Sequence, residues 1–327
     1  MLLFAVAFAA ACAATPPPPA APAVIARVTE RPVHHVDIRG VDLAWDSFGD
    51  EHAPPMVLIM GLGLQLVAWD EAFCTALAAR GFRVIRFDNR DVGLSTHFDS
   101  AGDPNVLAVW DDLRRRRPVT PAYRIGDMAD DTLGLLDALA IPAAHLVGVS
   151  MGGMIAQQLA IDHPDRVLSL TSIMSTTGDP SLRGPSFEVM GELLPPFPAD
   201  RDAFLARSVR LAHTLHGPGF PFDEDYVRRI AARSFDRGYS PGGVHRQLVA
   251  ILSGGNRHAA LTALRKPALV IHGDADPLLS VEGGRDTAAA IPGARLVVIP
   301  GMGHELPRPV WPRVIEAVAE LAHLGAP

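Results

Sequence analysis

Short apolar runs bounded by turn residues alternate along this chain with stretches in which apolar positions recur every three or four residues. The segments "VHHVDI" (33–38) and "VDLAWDSFG" (41–49), joined at Gly40, read as two strands around a tight turn. "PMVLIM" (55–60) is a continuous apolar run, as expected of a strand buried on both faces of a parallel sheet. "FRVIRFD" (82–88), "AHLVGV" (144–149), "RVLSLTSI" (166–173), "PALVIHG" (267–273) and "RLVVIP" (295–300) read as further strands. Helical spacing marks "WDEAFCTALAARG" (69–81), "IGDMADDTLGLLDALA" (125–140), "MGGMIAQQLAIDHP" (151–164) and "WPRVIEAVAELAHL" (311–324). In the second of these, Leu133, Leu136 and Leu139 share one side. The last tolerates Pro312 because that residue falls in its first turn.

Strands alternating with helices predict an α/β fold, a mostly parallel eight-stranded sheet with helices on both faces. The opening hairpin predicts an antiparallel edge. Between about Ser175 and Ala263 the strand rhythm fails, and prolines, glycines and amphipathic pieces replace it. We expect a helical cap at 176–263, inserted into a core formed by 32–175 and 264–327.

Composition narrows the class. The chain has 327 residues, 48% hydrophobic and 20% charged, ordinary for a soluble globular protein. A net charge of -7 gives no electrostatic reason to expect a nucleic-acid partner. The basic run Arg114–Arg117 follows Asp111 and Asp112 and reads as a solvated face or loop. His34 and His35 invite a metal reading, but neighbours on a strand point to opposite faces and cannot share one ion. At the amino terminus, "MLLFAVAFAAACAA" (1–14) precedes a Pro/Ala-rich linker at 15–31. The apolar stretch is too short to span a bilayer and fits the core of an export signal. The segment Ala11–Ala13 resembles a small-residue cleavage site, and "AAAC" a lipobox ending at Cys12 without its usual leucine; no Lys or Arg precedes the run. Export is the expectation, with a cytoplasmic location as the alternative. Cys12 and Cys74 are the only cysteines, so no disulfide framework is built in.

Candidate chemistry centres on "GVSMGG" (148–153), where strand-like sequence stops and helix-like sequence starts. In parallel sheets ligands bind at the carboxyl ends of strands, and Ser150 lies at such an end. G-x-S-x-G is the nucleophile-elbow pattern: Gly148 and Gly152 omit side chains where the sharp turn crowds its neighbours. A serine hydroxyl needs a base, itself oriented by an acid, and both come later in the chain. "LVIHGDADPLLS" places Asp276 after the seventh strand, and "LVVIPGMGHELP" places His304 after the eighth. Asp274 reads as a turn acid; Asp276, one step farther out and before Pro277, reads as the catalytic one.

With these motifs, and with "RFDNRDVGLS" and "HPDRV" beside them, the chain resembles the α/β-hydrolase family over roughly Pro32 to Leu324. "LIMGLGLQLVAW" joined to "RVIRFDNRDVGLST" is similar to the bacterial esterase branch that includes the aclacinomycin methylesterases. The resemblance implies an oxyanion hole from the backbone N–H of Met151 and of Leu62, the latter in the loop after the third strand. Family members usually open that loop with His-Gly; Met60-Gly61 stands here, which removes the support a histidine side chain gives the loop. "GLGLQ" is no dinucleotide fingerprint, since Leu66 occupies the third glycine position.

The expected function is a serine hydrolase acting on a carboxylic ester through an acyl-enzyme, with no metal or organic cofactor. The expected partner is a small, hydrophobic ester; no transmembrane span is expected, and the oligomeric state is not legible. Serine at the elbow excludes the dehalogenase and epoxide hydrolase chemistries of this fold, which use aspartate. Lactonase, C–C bond hydrolase, aminopeptidase and cofactor-free perhydrolase readings keep the same triad and stay open, with "FPFDEDY" and "GNRH" as candidate discriminating segments. A non-catalytic ligand-binding protein on this fold is the alternative of another class.

Overall fold

The computed structural model describes residues 31–324, so the expected export signal, Cys12 and nearly all of the linker lie outside the described residues. Among the described residues eight strands form one sheet in the order β1-β2-β4-β3-β5-β6-β7-β8. They are β1 (His34–Ile38), β2 (Val41–Phe48), β3 (Pro55–Ile59), β4 (Arg83–Phe87), β5 (Ala144–Val149), β6 (Val167–Ile173), β7 (Ala268–Gly273) and β8 (Arg295–Ile299). The pairings of β2 with β1 and with β4 are antiparallel, and the rest are parallel. His35 points to Asp42 at 2.7 Å while the His34 ring lies on Trp45, so the two imidazoles have separate neighbours.

The helices are α1 (Glu71–Ala78), α2 (Val106–Arg114), α3 (Ile125–Ala138), α4 (Met151–Asp162), α5 (Phe187–Leu193), α6 (Arg201–Leu215), α7 (Glu224–Arg237), α8 (Pro241–Leu252), α9 (His258–Leu261), α10 (Val281–Ala290) and α11 (Trp311–Leu324). The central strands feed two cores. Val57 and Ile59 of β3 meet α3 and α4 on one face, while Met56 and Leu58 meet α1 and α11 on the other. That alternation explains why β3 reads as a solid apolar run: both of its faces are covered. Burying the side chains of such strands removes apolar area from water at about 25 cal/mol per Å².

Two details differ from the pattern expected along the chain. The buried arc of α3 is centred on Met128, Thr132, Leu135 and Leu136, with Leu133 and Leu139 only partly buried at its margins. Asp131 joins the buried arc because Arg90 clasps its carboxylate with two bonds of 2.6 and 2.7 Å. Helices α2 and α10 add to those expected from the sequence. Residues 187–261 hold α5–α9 and contribute no strand to the sheet. No helix among the described residues is long and apolar enough to cross a membrane.

Candidate active site

The loop between β5 and α4 holds Ser150 at φ +55°, ψ −118°, a conformation that costs an L-residue energy and persists only where its surroundings enforce it. Here the surroundings are backbone. The Ser150 N–H donates to Ile173 O at 2.9 Å, and its carbonyl accepts from Gly153 N–H and from the Ser175 hydroxyl. A methyl group on Gly148 would stand 2.6 Å from Gly153 N; one on Gly152 would stand 2.6 Å from the Ile59 carbonyl carbon. Both glycines are therefore required by close backbone approach. The turn leaves the serine side chain clear of the sheet, at the carboxyl ends of the strands.

The loops after β7 and β8 converge on it. His304 Nε2 lies 2.9 Å from Ser150 Oγ, and His304 Nδ1 lies 2.7 Å from Asp276 Oδ2. A carboxylate only accepts, so the proton sits on Nδ1 and the Nε2 lone pair faces the hydroxyl. The other carboxylate oxygen, Asp276 Oδ1, accepts the N–H groups of Leu278 and Leu279, each at 2.9 Å. Burial alone would raise the Asp276 pKa. The charge of His304 and hydrogen bonds from His272 and His304 outweigh it and hold the carboxyl well below the usual carboxylate range. Asp274 instead accepts Gly301 N–H at 2.6 Å, staying with its turn.

His272 was not singled out by motif. Its Nε2 lies 2.8 Å from Leu279 O and 3.3 Å from Asp276 Oδ2; both atoms accept, so Nε2 carries a proton and braces the acid.

The loop after β3 lies against the serine: a methyl group on Gly61 would be 3.2 Å from Ser150 Cβ. The N–H groups of Leu62 and Met151 have no hydrogen-bond partner among the described residues. The loop is held by side chains from other elements. Asn89 Nδ2 donates to Met60 O at 3.0 Å, Gln247 Oε1 accepts Gly63 N–H at 2.7 Å, and Asp88 Oδ1 accepts Leu66 N–H at 2.6 Å. Gln65 reaches the other way, donating to Ser234 O and Gly238 O at 2.7 Å each. "RFDNRDVGLS" thus forms a buried hub: Asp88 pairs with Arg237 at 3.0 Å, Arg90 with Asp131, and Asp91 with Arg246 through two bonds of 2.7 and 2.8 Å.

The two candidate discriminating segments are already engaged. Arg257 is buried and donates to Gln157 Oε1 and Thr176 O, and His258 bonds Asp286 at 2.8 Å. Phe220 packs on the core, and Arg308 lies over the Tyr226 ring. Among the described residues no group of three or more His, Cys, Asp or Glu is arranged to hold a metal ion.

Known proteins share this arrangement of chain. A family model described as the α/β hydrolase fold matches residues 54–307. The rhodomycin D methylesterases of Streptomyces peucetius and of Streptomyces sp. strain C5 are each 33% identical over 308 residues, spanning 88% of this chain and 96% of theirs. A hydrolase from Pseudomonas aeruginosa PA01 superposes with a TM-score of 0.66 at 27% identity, covering 90% of this chain and 98% of that one. An esterase from Rhodococcus sp. ECU1013 shares the fold at a TM-score of 0.69 and 20% identity, covering 90% and 99%. The chain belongs to the α/β-hydrolase family.

Proposed function

We propose that this chain hydrolyses carboxylic esters, with Ser150 as nucleophile, His304 as general base and acid, and Asp276 as the group that orients His304. The observation that carries the reading is the continuous line of 2.9 and 2.7 Å contacts joining three side chains from three separate loops. As Ser150 Oγ attacks the ester carbonyl carbon, its proton passes to His304 Nε2, and Asp276 stabilises the imidazolium. The carbonyl oxygen takes up the electron pair and is held by the Leu62 and Met151 N–H groups, a contribution of about 3–4 kcal/mol per donor. When the tetrahedral intermediate collapses, Nε2 returns its proton to the departing alcohol. Water then attacks the acyl-enzyme, with His304 again as base, and releases the acid and the free serine.

The 33% identity to two rhodomycin D methylesterases over most of both chains supports a methyl ester as substrate. In this reading α5–α9 form a cap over the site, and the amino-terminal segment directs export. N-terminal sequencing of protein made in its own host tests the last point: a mature chain that begins downstream of the apolar run is expected, and one that retains "MLLFAV" contradicts it. The activity is tested by steady-state hydrolysis of a short-chain p-nitrophenyl ester and of methyl esters of polycyclic aromatic acids. Turnover by the wild type and none by Ser150→Ala is expected. Stoichiometric binding of such esters without any turnover would favour a ligand-binding protein instead.

A further inference from the structure

We infer that Gln247, on helix α8 and far from Ser150 in sequence, is the residue that positions the Leu62 N–H for catalysis. The inference rests on the esterase reading and deepens it.

Gln247 is fully buried, and its amide is committed at both ends. Oε1 accepts Gly63 N–H at 2.7 Å, and Nε2 donates to Arg90 O at 2.8 Å. The partners force this orientation, because a backbone N–H needs an oxygen and a carbonyl needs an N–H. One side chain therefore ties the residue next to Leu62 to the buried hub that follows β4.

The rest of α8 is immobilised around it. Arg246, the preceding residue, forms a buried two-bond pair with Asp91 at 2.7 and 2.8 Å. Val244 lies against Gly63, where a side chain would come within 3.0 Å of its Cγ2. Gly63 adopts φ +68°, a left-handed conformation in the turn that follows Leu62. Gly61 brings the loop against Ser150, where a methyl group would stand 3.2 Å from its Cβ. Asn89 holds the carbonyl of Met60, upstream of Leu62, and Gln247 holds the N–H of Gly63, downstream of it. The Gly61 carbonyl, in the same peptide as the Leu62 N–H, accepts Leu64 N–H at 3.3 Å, so the turn moves as a unit between these two bonds; loss of the downstream one lets the turn, and with it the Leu62 N–H, shift away from the developing oxyanion. An oxyanion forms only in the transition state, so the loss falls on kcat rather than on KM.

The test compares wild type with Gln247→Met, which keeps the volume and removes both hydrogen bonds, and with Gln247→Asn, which keeps an amide too short to reach both partners. Each is assayed for kcat and KM on a short-chain p-nitrophenyl ester, for inhibition by a trifluoromethyl ketone, which forms a tetrahedral oxyanion on serine, and by the product acid. Removing an oxyanion donor outright costs about 10²–10³ in kcat, so a misplaced one is expected to cost about 10–100-fold. The expected result is that loss in kcat, with KM within about threefold, a matching loss in trifluoromethyl ketone affinity and unchanged affinity for the product acid. Retention of kcat within about twofold overturns the inference. So does a loss shared equally by kcat, KM, product affinity and melting temperature, which marks a packing role. Absence of turnover in the wild type overturns the esterase reading itself. In that event Gln247 is judged by amide exchange at Gly63, which is expected to speed up in both variants; unchanged exchange overturns its role in the loop.

Discussion

Replacing Gly152 with alanine drives a methyl group into the seam between the first turn of α4 and the end of β3. The added carbon would lie 2.6 Å from the Ile59 carbonyl carbon and 2.8 Å from Met60 O. Carbons that are not bonded settle at about 3.5–4.0 Å, so the two backbones must part by about 1 Å. Neither side yields by rotating a side chain, because both contacts are backbone. Overpacking of this kind costs about 1–3 kcal/mol of stability. It also separates Met151, on the helix, from Leu62, on the loop, so that one N–H no longer points where the other does. The expected loss is about 10²–10³ in kcat on a p-nitrophenyl ester, with a lowered melting temperature. Gly191→Ala in α5 is the control, since nothing lies within 4 Å of the added carbon. It should stabilise the helix by about 0.5–1 kcal/mol and leave kcat unchanged. A Gly152→Ala protein with the melting temperature and kcat of the wild type would refute the steric reasoning for the elbow.

Other expectations follow from buried titratable groups. His145 is buried, with Phe82 at its ring edge and Ser169 Oγ 2.8 Å from Nδ1; burial, aided by His323, lowers its pKa from 6.5 to about 4. Between pH 6.5 and 4 the unfolded chain binds a proton at this site and the folded chain does not, so stability falls as the pH drops through that window, by about 3 kcal/mol in all. His145→Gln should remove that part of the slope in denaturant titrations run across the window, and an unchanged slope would contradict it. Burial pushes the Cys74 thiol up to about 12, so iodoacetamide should leave it unmodified in the folded protein and label it after denaturation, as read by peptide mass. Asp276→Asn replaces an acceptor with an amide that favours the wrong His304 tautomer; kcat should fall by about 10⁴ with little change in KM, and a loss below tenfold would argue against its orienting role.

Much of the fold is legible because its signals are local. β3 is covered on both faces, so it reads as an unbroken apolar run, and the elbow advertises itself because its glycines, serine and flanking elements are adjacent in sequence. Helix α2 carries Val106, Val109, Trp110 and Leu113 at helical spacing, but the stripe is short and only Val106 is buried. Helix α10 packs through Gly283, Gly284, Thr287 and Ala290, a face kept small because Gly284 sits against the His272 ring. Hydrophobic periodicity does not register α10. The triad residues announce themselves by chemistry and by their place after strands. Gln247 cannot, because it reads as one polar residue in an amphipathic helix until the fold brings Gly63 and Arg90 to its two ends.

The central claim is that Ser150 is a nucleophile activated by His304. The most direct measurement is rapid-mixing of the enzyme with a p-nitrophenyl ester, followed by peptide mass analysis of the quenched protein. The expected result is a burst of about one equivalent of p-nitrophenol per active site, with the acyl group on the Ser150 peptide, and neither in Ser150→Ala or His304→Ala. A burst that survives in Ser150→Ala, or an acyl group found on another residue, would contradict it.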